Sequence, residues 1–263
     1  MTEGAKCDGS VASLVFPHSL TWFKSSPTAC SPWSNDGFCD VAFMSYDFLC
    51  IYRLCYSTSG ADDGYYFCFL SQFKAHDQNI HSVSFPVHFG GVPCEKCFIT
   101  CGYDRYIRLW SFISNEYTLD KEVQLGQDVI PNACAACNVS GCLYVLSASL
   151  TGHVVIWEPL NPHSAKRPIV KKFKKDVASS CLWMSSASDT TNLLAIVGYA
   201  SGDICGYLLD RSNSADKNSL DLVFRKSAHR FEICSLVAVN DLEGGTRLFA
   251  SAGRDGDVRV ICL

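Results

Sequence analysis

The sequence predicts an all-β protein assembled from one small antiparallel unit used several times. Two observations carry this. Short runs alternate apolar and polar residues, the pattern of half-buried strands, and they stop at glycine, proline or aspartate. The same order of run, turn and run then comes back along the whole chain. The clearest copy is residues 76–112. Ile80, Val83 and Phe85 mark a first strand that stops at Pro86. Phe98, Ile99, Thr100 and Cys101 form a second that ends in the tight-turn residues Gly102, Tyr103 and Asp104, and Ile107, Leu109 and Trp110 mark a third.

This unit resembles the WD40 repeat, a unit of roughly 40–45 residues with a histidine near its start and a tryptophan in its third strand. Here His76 precedes Trp110 by 34 positions. The resemblance places the buried hydrogen-bond set of that family on His76, Thr100, Asp104 and Trp110. Elementary chemistry agrees. A buried aspartate in a tight turn needs donors, which an imidazole N–H and a threonine hydroxyl supply, and an indole can lie against a sheet while its N–H finds a partner.

Four further units follow the same plan less completely. In residues 10–54, His18 precedes Tyr52 at the same spacing, 37–43 and 48–52 read as second and third strands, and Tyr52 fills the tryptophan position. Its turn, Tyr46-Asp47, is in shifted register, and 27–37, with Pro27 and Pro32, reads as the loop between strands one and two. Residues 65–73 form an aromatic outermost strand. In 128–160, Ser147 and Trp157 keep two of the four special positions, Thr151 replaces the aspartate, and Asp128 stands near the histidine position. In 176–209 the strand, turn and strand are 193–199, 201–203 and 204–207. A polar loop over 211–218 then leads to an outer strand over 220–224. In 229–263, His229, Ser251 and Asp255 return, with Ile261 in the tryptophan position.

Five units imply, through this resemblance, a WD40-type β-propeller: blades of four antiparallel strands around a channel, one domain over residues 1–263. The last unit stops at its third strand, and residues 11–16 are expected to supply the missing outer strand and join the chain ends in one blade. Seven blades are common in the family. The ring is therefore small, or part of a longer chain, or completed by a partner. No Trp-Asp dipeptide occurs, Trp157-Glu158 being nearest.

Composition narrows the function. A net charge of −4 and a pI near 5.9 favour neither nucleic acid nor an anionic membrane globally. No apolar run approaches the ~20 residues of a membrane helix, and the first residues lack the basic-then-apolar order of a signal peptide. Sixteen cysteines are many, but most sit in apolar strand runs, as Cys50, Cys68 and Cys262 do, where a thiol is a small hydrophobe. That suits a reducing compartment, cytoplasmic or nuclear. Two Cys-x-x-Cys pairs, Cys94/Cys97 and Cys134/Cys137, suggest zinc. Cys134 and Cys137, however, fall on a strand, where positions three apart face opposite ways. No Gly-x-Ser-x-Gly elbow, phosphate loop or dinucleotide fingerprint is present. The expectation is no enzyme, no cofactor, no small-molecule substrate and no membrane.

Two surfaces remain. The basic run 166–175, with Lys171, Lys172, Lys174 and Lys175, reads as the exposed outermost strand of the third blade. Edge lysines deter sheet-to-sheet aggregation and also suit a phosphate backbone. The turn face is expected to carry Tyr103, Arg105, Tyr106, Arg230, Phe231 and Arg254, the side-chain types that anchor protein interfaces. The function this implies is a non-catalytic scaffold docking protein subunits of a larger complex. The alternative is an accessory RNA-binding subunit, since the last two units also resemble WD-repeat subunits of tRNA ribose methyltransferase complexes.

Overall fold

The computed structural model describes residues 28–31, 34, 37–57, 64–89, 96–162, 167–185, 192–210, 219–239 and 248–263, and every regular element among them is a strand. The first sheet holds β1 (Thr28–Cys30), β2 (Phe38–Ser45), β3 (Phe48–Ser57) and β4 (Gly64–Lys74) in that order. Next along the chain come β5 (Ile80–Ser84), β6 (Val87–Phe89), β7 (Cys97–Gly102), β8 (Tyr106–Ile113) and β9 (Glu116–Gln124), of which β5, β7, β8 and β9 make the second sheet. The third holds β10 (Pro131–Val139), β11 (Cys142–Ser149), β12 (His153–Trp157) and β13 (Ile169–Lys172), with β6 laid parallel along the outer side of β10. The fourth holds β14 (Ala178–Ser185), β15 (Asn192–Tyr199), β16 (Asp203–Asp210) and β17 (Ser219–Ser227), and the fifth β18 (Ile233–Val239), β19 (Leu248–Gly253) and β20 (Val258–Cys262).

Three strands, β1, β6 and β9, lie where none was expected. Thr28, Ala29 and Cys30 pair with Phe43, Ala42 and Val41, so part of the predicted 27–37 loop is strand, cut to three residues between two prolines. In β9 only Tyr117 and Val123 are buried along a run of charged and polar residues, too few apolar positions to show as alternation. His18 and residues 11–16 lie outside the described residues.

The sheets pack face to face. β5, β10, β14 and β18 each open their own sheet, and each lies against the next. Four apolar cores fill the junctions. Ala42, Met44, Leu49 and Ile51 meet Phe98, Trp110 and Tyr117 in the first, and Ile99, Ile107 and Leu109 meet Val145, Val155 and Trp157 in the second. Leu146, Val154 and Ile156 meet Tyr199 and Tyr207 in the third, and Leu194, Ile196 and Ile204 meet Leu236, Phe249 and Ile261 in the fourth. Interior strands are covered on both faces, which is why β7 and β11 read as nearly unbroken apolar runs.

The second to fifth sheets repeat the same polar contacts, first within each sheet and then between sheets. Tyr103 N donates to Asn79 O, Leu150 N to Ile130 O, Ala200 N to Val177 O and Arg254 N to Glu232 O, all at 2.8–2.9 Å. A register shift after the first residue of β5, β10, β14 and β18 bulges out His81, Asn132, Ser179 and Cys234. Three of these cross to the next sheet. His81 Nδ1 bonds Pro131 O at 2.8 Å, Asn132 Nδ2 bonds Ala178 O at 2.8 Å, and Ser179 Oγ bonds Ile233 O at 2.6 Å.

At the Gly152 and Gly202 turns this close packing demands glycine. Gly202 has φ +82°, its carbonyl accepts from Ala228 N and His229 N, and a Cβ there would lie 2.0 Å from His229 O. Gly256 has φ +83° but open space around it. Gly202→Ala is therefore expected to cost about 2–4 kcal/mol, and Gly256→Ala only about 1–2, the left-handed backbone penalty alone. Urea midpoints of the two variants check the difference.

Candidate partner-binding face

The ends of the sheets that carry the β7–β8 and equivalent turns also carry the loops linking one sheet to the next. In the second sheet the predicted set is assembled. Trp110 Nε1 donates to Thr100 Oγ1 at 2.9 Å, Thr100 Oγ1 lies 2.8 Å from His76 Nε2, and His76 Nδ1 lies 2.8 Å from Asp104 Oδ1. With the indole on the threonine oxygen, the threonine hydroxyl donates to Nε2, which leaves the imidazole proton on Nδ1, aimed at the carboxylate. Burial lowers the His76 pKa, outweighing the opposite pull of Asp104, so the ring stays neutral. Burial alone would raise Asp104. The His76 proton and the Asp77 and Tyr106 amides outweigh it and bring the carboxyl down to about 2.

The fifth sheet repeats this without an indole. His229 Nδ1 lies 2.9 Å from Asp255 Oδ1 and His229 Nε2 lies 2.9 Å from Ser251 Oγ. The Arg230 amide, ahead of the His229 ring, holds Asp255 down to about 2.

The third and fourth sheets use other chemistry for the same purpose. Ser147 Oγ donates to Ala133 O, and Trp157 is fully buried in the core facing the second sheet. Thr151 Oγ1 donates to Asp128 O and lies 2.9 Å from His153 Nδ1, so the histidine here comes from β12. Only its place beside the Gly152 turn could have marked His153 out in the sequence. In the fourth sheet a lysine takes the part. Lys174 Nζ reaches Asp203 Oδ2 at 2.7 Å and Asp176 Oδ2 at 2.8 Å, and Arg225 Nη2 reaches the same Asp203 oxygen at 2.6 Å. Burial would lower Lys174, but the two carboxylates raise it above its ordinary value.

This corrects the expectation for the basic run. The edge strand is only Ile169–Lys172, because Lys174 turns inward to its carboxylates and its ammonium lies 4.9 Å above the Tyr199 ring. Lys171 Nζ is bound to Leu220 O at 2.8 Å, while Lys172 and Lys175 are exposed. The four lysines do not form one open basic strip.

On the turn face Tyr103, Arg230, Phe231 and Arg254 are exposed. Arg105 and Tyr106 do not project in the expected way. Both are half-buried, Arg105 at φ +68° with its carbonyl accepting Leu125 N, and Tyr106 under the Arg108 guanidinium at 4.7 Å. Tyr46, at φ +52°, is a further exposed aromatic turn residue, beyond the six expected on this face. The exposed groups stand on fixed backbone. Tyr103 also packs edge-on against His81, and Arg254 Nε lies 3.1 Å from Glu232 Oε2.

The thiols are divided among the cores. Cys134 lies in the core facing the second sheet and Cys137 in the core facing the fourth. Cys97 is buried at the start of β7, and Cys94 lies outside the described residues. Cys50 is buried and Cys68 half-buried. Cys262 is exposed, against expectation, because β20 is an edge strand. Among the described residues no group of three or more His, Cys, Asp or Glu side chains is placed to hold a metal ion. No family model matches the chain, and no curated protein matches it either. What the chain can do is read from its own geometry.

Proposed function

We propose that the five sheets are blades of a WD40-type β-propeller, open between the fifth and the first, and that the protein is a non-catalytic scaffold docking protein subunits on its turn face. The recurring bulges, the shared backbone bonds and the histidine–aspartate pairs support the blade reading. The observation that carries the function is the division of labour on that face. The His76 and His229 side chains are spent on fixing the turns of their own sheets and Lys174 on joining the third sheet to the fourth, while Tyr103, Phe231, Arg230 and Arg254 stand exposed, with the Tyr103 and Arg254 amides held by backbone bonds to the residue ahead of the strand that opens their sheet. A preformed surface of aromatic and arginine groups loses little entropy on binding.

The test compares wild-type and Tyr103→Ala/Arg254→Ala chains as baits in quantitative affinity purification. One or a few proteins should fall at least ~10-fold in the variant, the loss expected for two anchor residues, with an unchanged thermal midpoint. Equal recovery of every captured protein would overturn the assignment of that face.

A further inference from the structure

The stack has a direction, and among the described residues its two end faces are complementary. In the second, third and fourth sheets the third-strand aromatic, Trp110, Trp157 or Tyr207, faces the preceding sheet. The equivalent residue of the first sheet, Tyr52, lies on the face turned away from the second, with Phe43 and Phe67 against it and Phe69 5.5 Å from its ring. That face is built to receive a predecessor.

The fifth sheet is the converse. Leu236, Phe249 and Ile261 pack on the fourth sheet. The register puts Ser235, Val237, Ala250, Ala252, Val258, Val260 and Cys262 on the opposite face, with no charged residue among them. Val237 is 58% exposed and Val260 65%. Cys234, the bulged residue whose counterparts bond the next sheet, is exposed, and its Sγ bonds Glu232 O just ahead of its own strand. Among the described residues no outer strand pairs with β20 as β4, β9, β13 and β17 do in the other sheets.

We propose that this face takes the open aromatic face of the first sheet of a second copy, so that chains associate head to tail through a fifth junction of the kind each chain already contains four times. Both halves of that junction are present on one chain, and among the described residues each keeps exposed apolar side chains: Phe69 is 53% exposed at the edge of the buried Tyr52, and Val260 65%. The contact is heterologous, so it propagates into a ring or a filament rather than stopping at a two-fold dimer. It extends the blade reading but does not involve the docking face, so the Tyr103→Ala/Arg254→Ala chain assembles like wild type.

The experiment is light scattering on the full chain over a concentration series. Wild type should exceed the single-chain mass increasingly with concentration. Val260→Glu disables one half of the junction and Phe69→Glu the other, so each alone should remain a single chain. Mixed one to one they should form a two-chain species, because each keeps the half the other lost. Val237→Glu replaces Val260→Glu if that variant fails a circular-dichroism check of folding. A wild-type chain monomeric at all concentrations, whether closed on itself or covered by another protein, overturns the proposal. So does assembly of Phe69→Glu alone, which would mean pairing of fifth sheets about a two-fold, or a mixture that stays monomeric.

Discussion

Replacing Asp40 with alanine is expected to lower the unfolding free energy by about 3–5 kcal/mol, measured as a fall in the urea midpoint at unchanged slope. Asp40 sits on β2 with 2% of its surface exposed. It accepts from Arg53 Nε at 2.7 Å and Nη2 at 3.1 Å, and from the Tyr117 hydroxyl at 2.7 Å. Tyr117 belongs to β9, so one carboxylate joins the first sheet to the second. Burial raises the Tyr117 pKa, which keeps the phenol a donor. The Arg53 guanidinium lies 4.1 Å from the Phe38 ring centroid and 5.3 Å from that of Phe112. Alanine would leave a largely covered cation and a buried phenol without their acceptor, the costly half of a buried ion pair. The double variant Asp40→Ala/Arg53→Ala should lose less than the sum of the singles, since the second change removes the charge stranded by the first. Additive losses would show that the pair is not coupled.

Most of the fold was legible because the cores are written in strand periodicity. The paired runs around each tight turn, 98–110, 142–157, 193–207 and 248–261, become adjacent antiparallel strands of their sheets. What escaped is what periodicity does not encode. β9 buries two side chains in nine, and β6 is three residues that leave their own sheet to lie along β10. The second-sheet set was readable because His76, Thr100, Asp104 and Trp110 match one known pattern together. The Lys174–Asp203 pair was not, because lysine in a basic run looks like a solvated edge until the fold brings Asp176 and Asp203 to it. Asp40 and Arg53 face each other across β2 and β3 but carry no motif, and only the stacking of two sheets brings Tyr117 to them.

The second large effect is at Asp104, and acid should expose it. Asp104→Ala is expected to cost about 3–5 kcal/mol at pH 7, because it strands the His76 N–H, the Asp77 amide and part of the Arg108 guanidinium. Asp104→Asn keeps an acceptor for the histidine and loses only the charge. Its cost should be near the linkage value for a carboxyl lowered from 3.8 to about 2, roughly 2 kcal/mol. The sign follows from the depressed pKa: the stabilisation is complete above the unfolded value near 4 and is lost as pH falls through about 2. The gap between wild type and Asp104→Asn should therefore be constant from pH 7 to 5 and narrow by about 1 kcal/mol at pH 3. His76 works in the same direction over a higher range. Its folded pKa is lowered by burial, so the unfolded chain takes up a proton below about 6.5 that the folded chain refuses, and stability declines as pH falls. Wild type should lose stability between pH 6.5 and 4 before Asp104 begins to titrate, and His76→Asn should flatten that segment. Chemical denaturation of the three proteins at pH 7, 5 and 3 separates the two contributions. A gap that widens in acid would mean that the histidine, and not the aspartate, carries the charge in the folded pair.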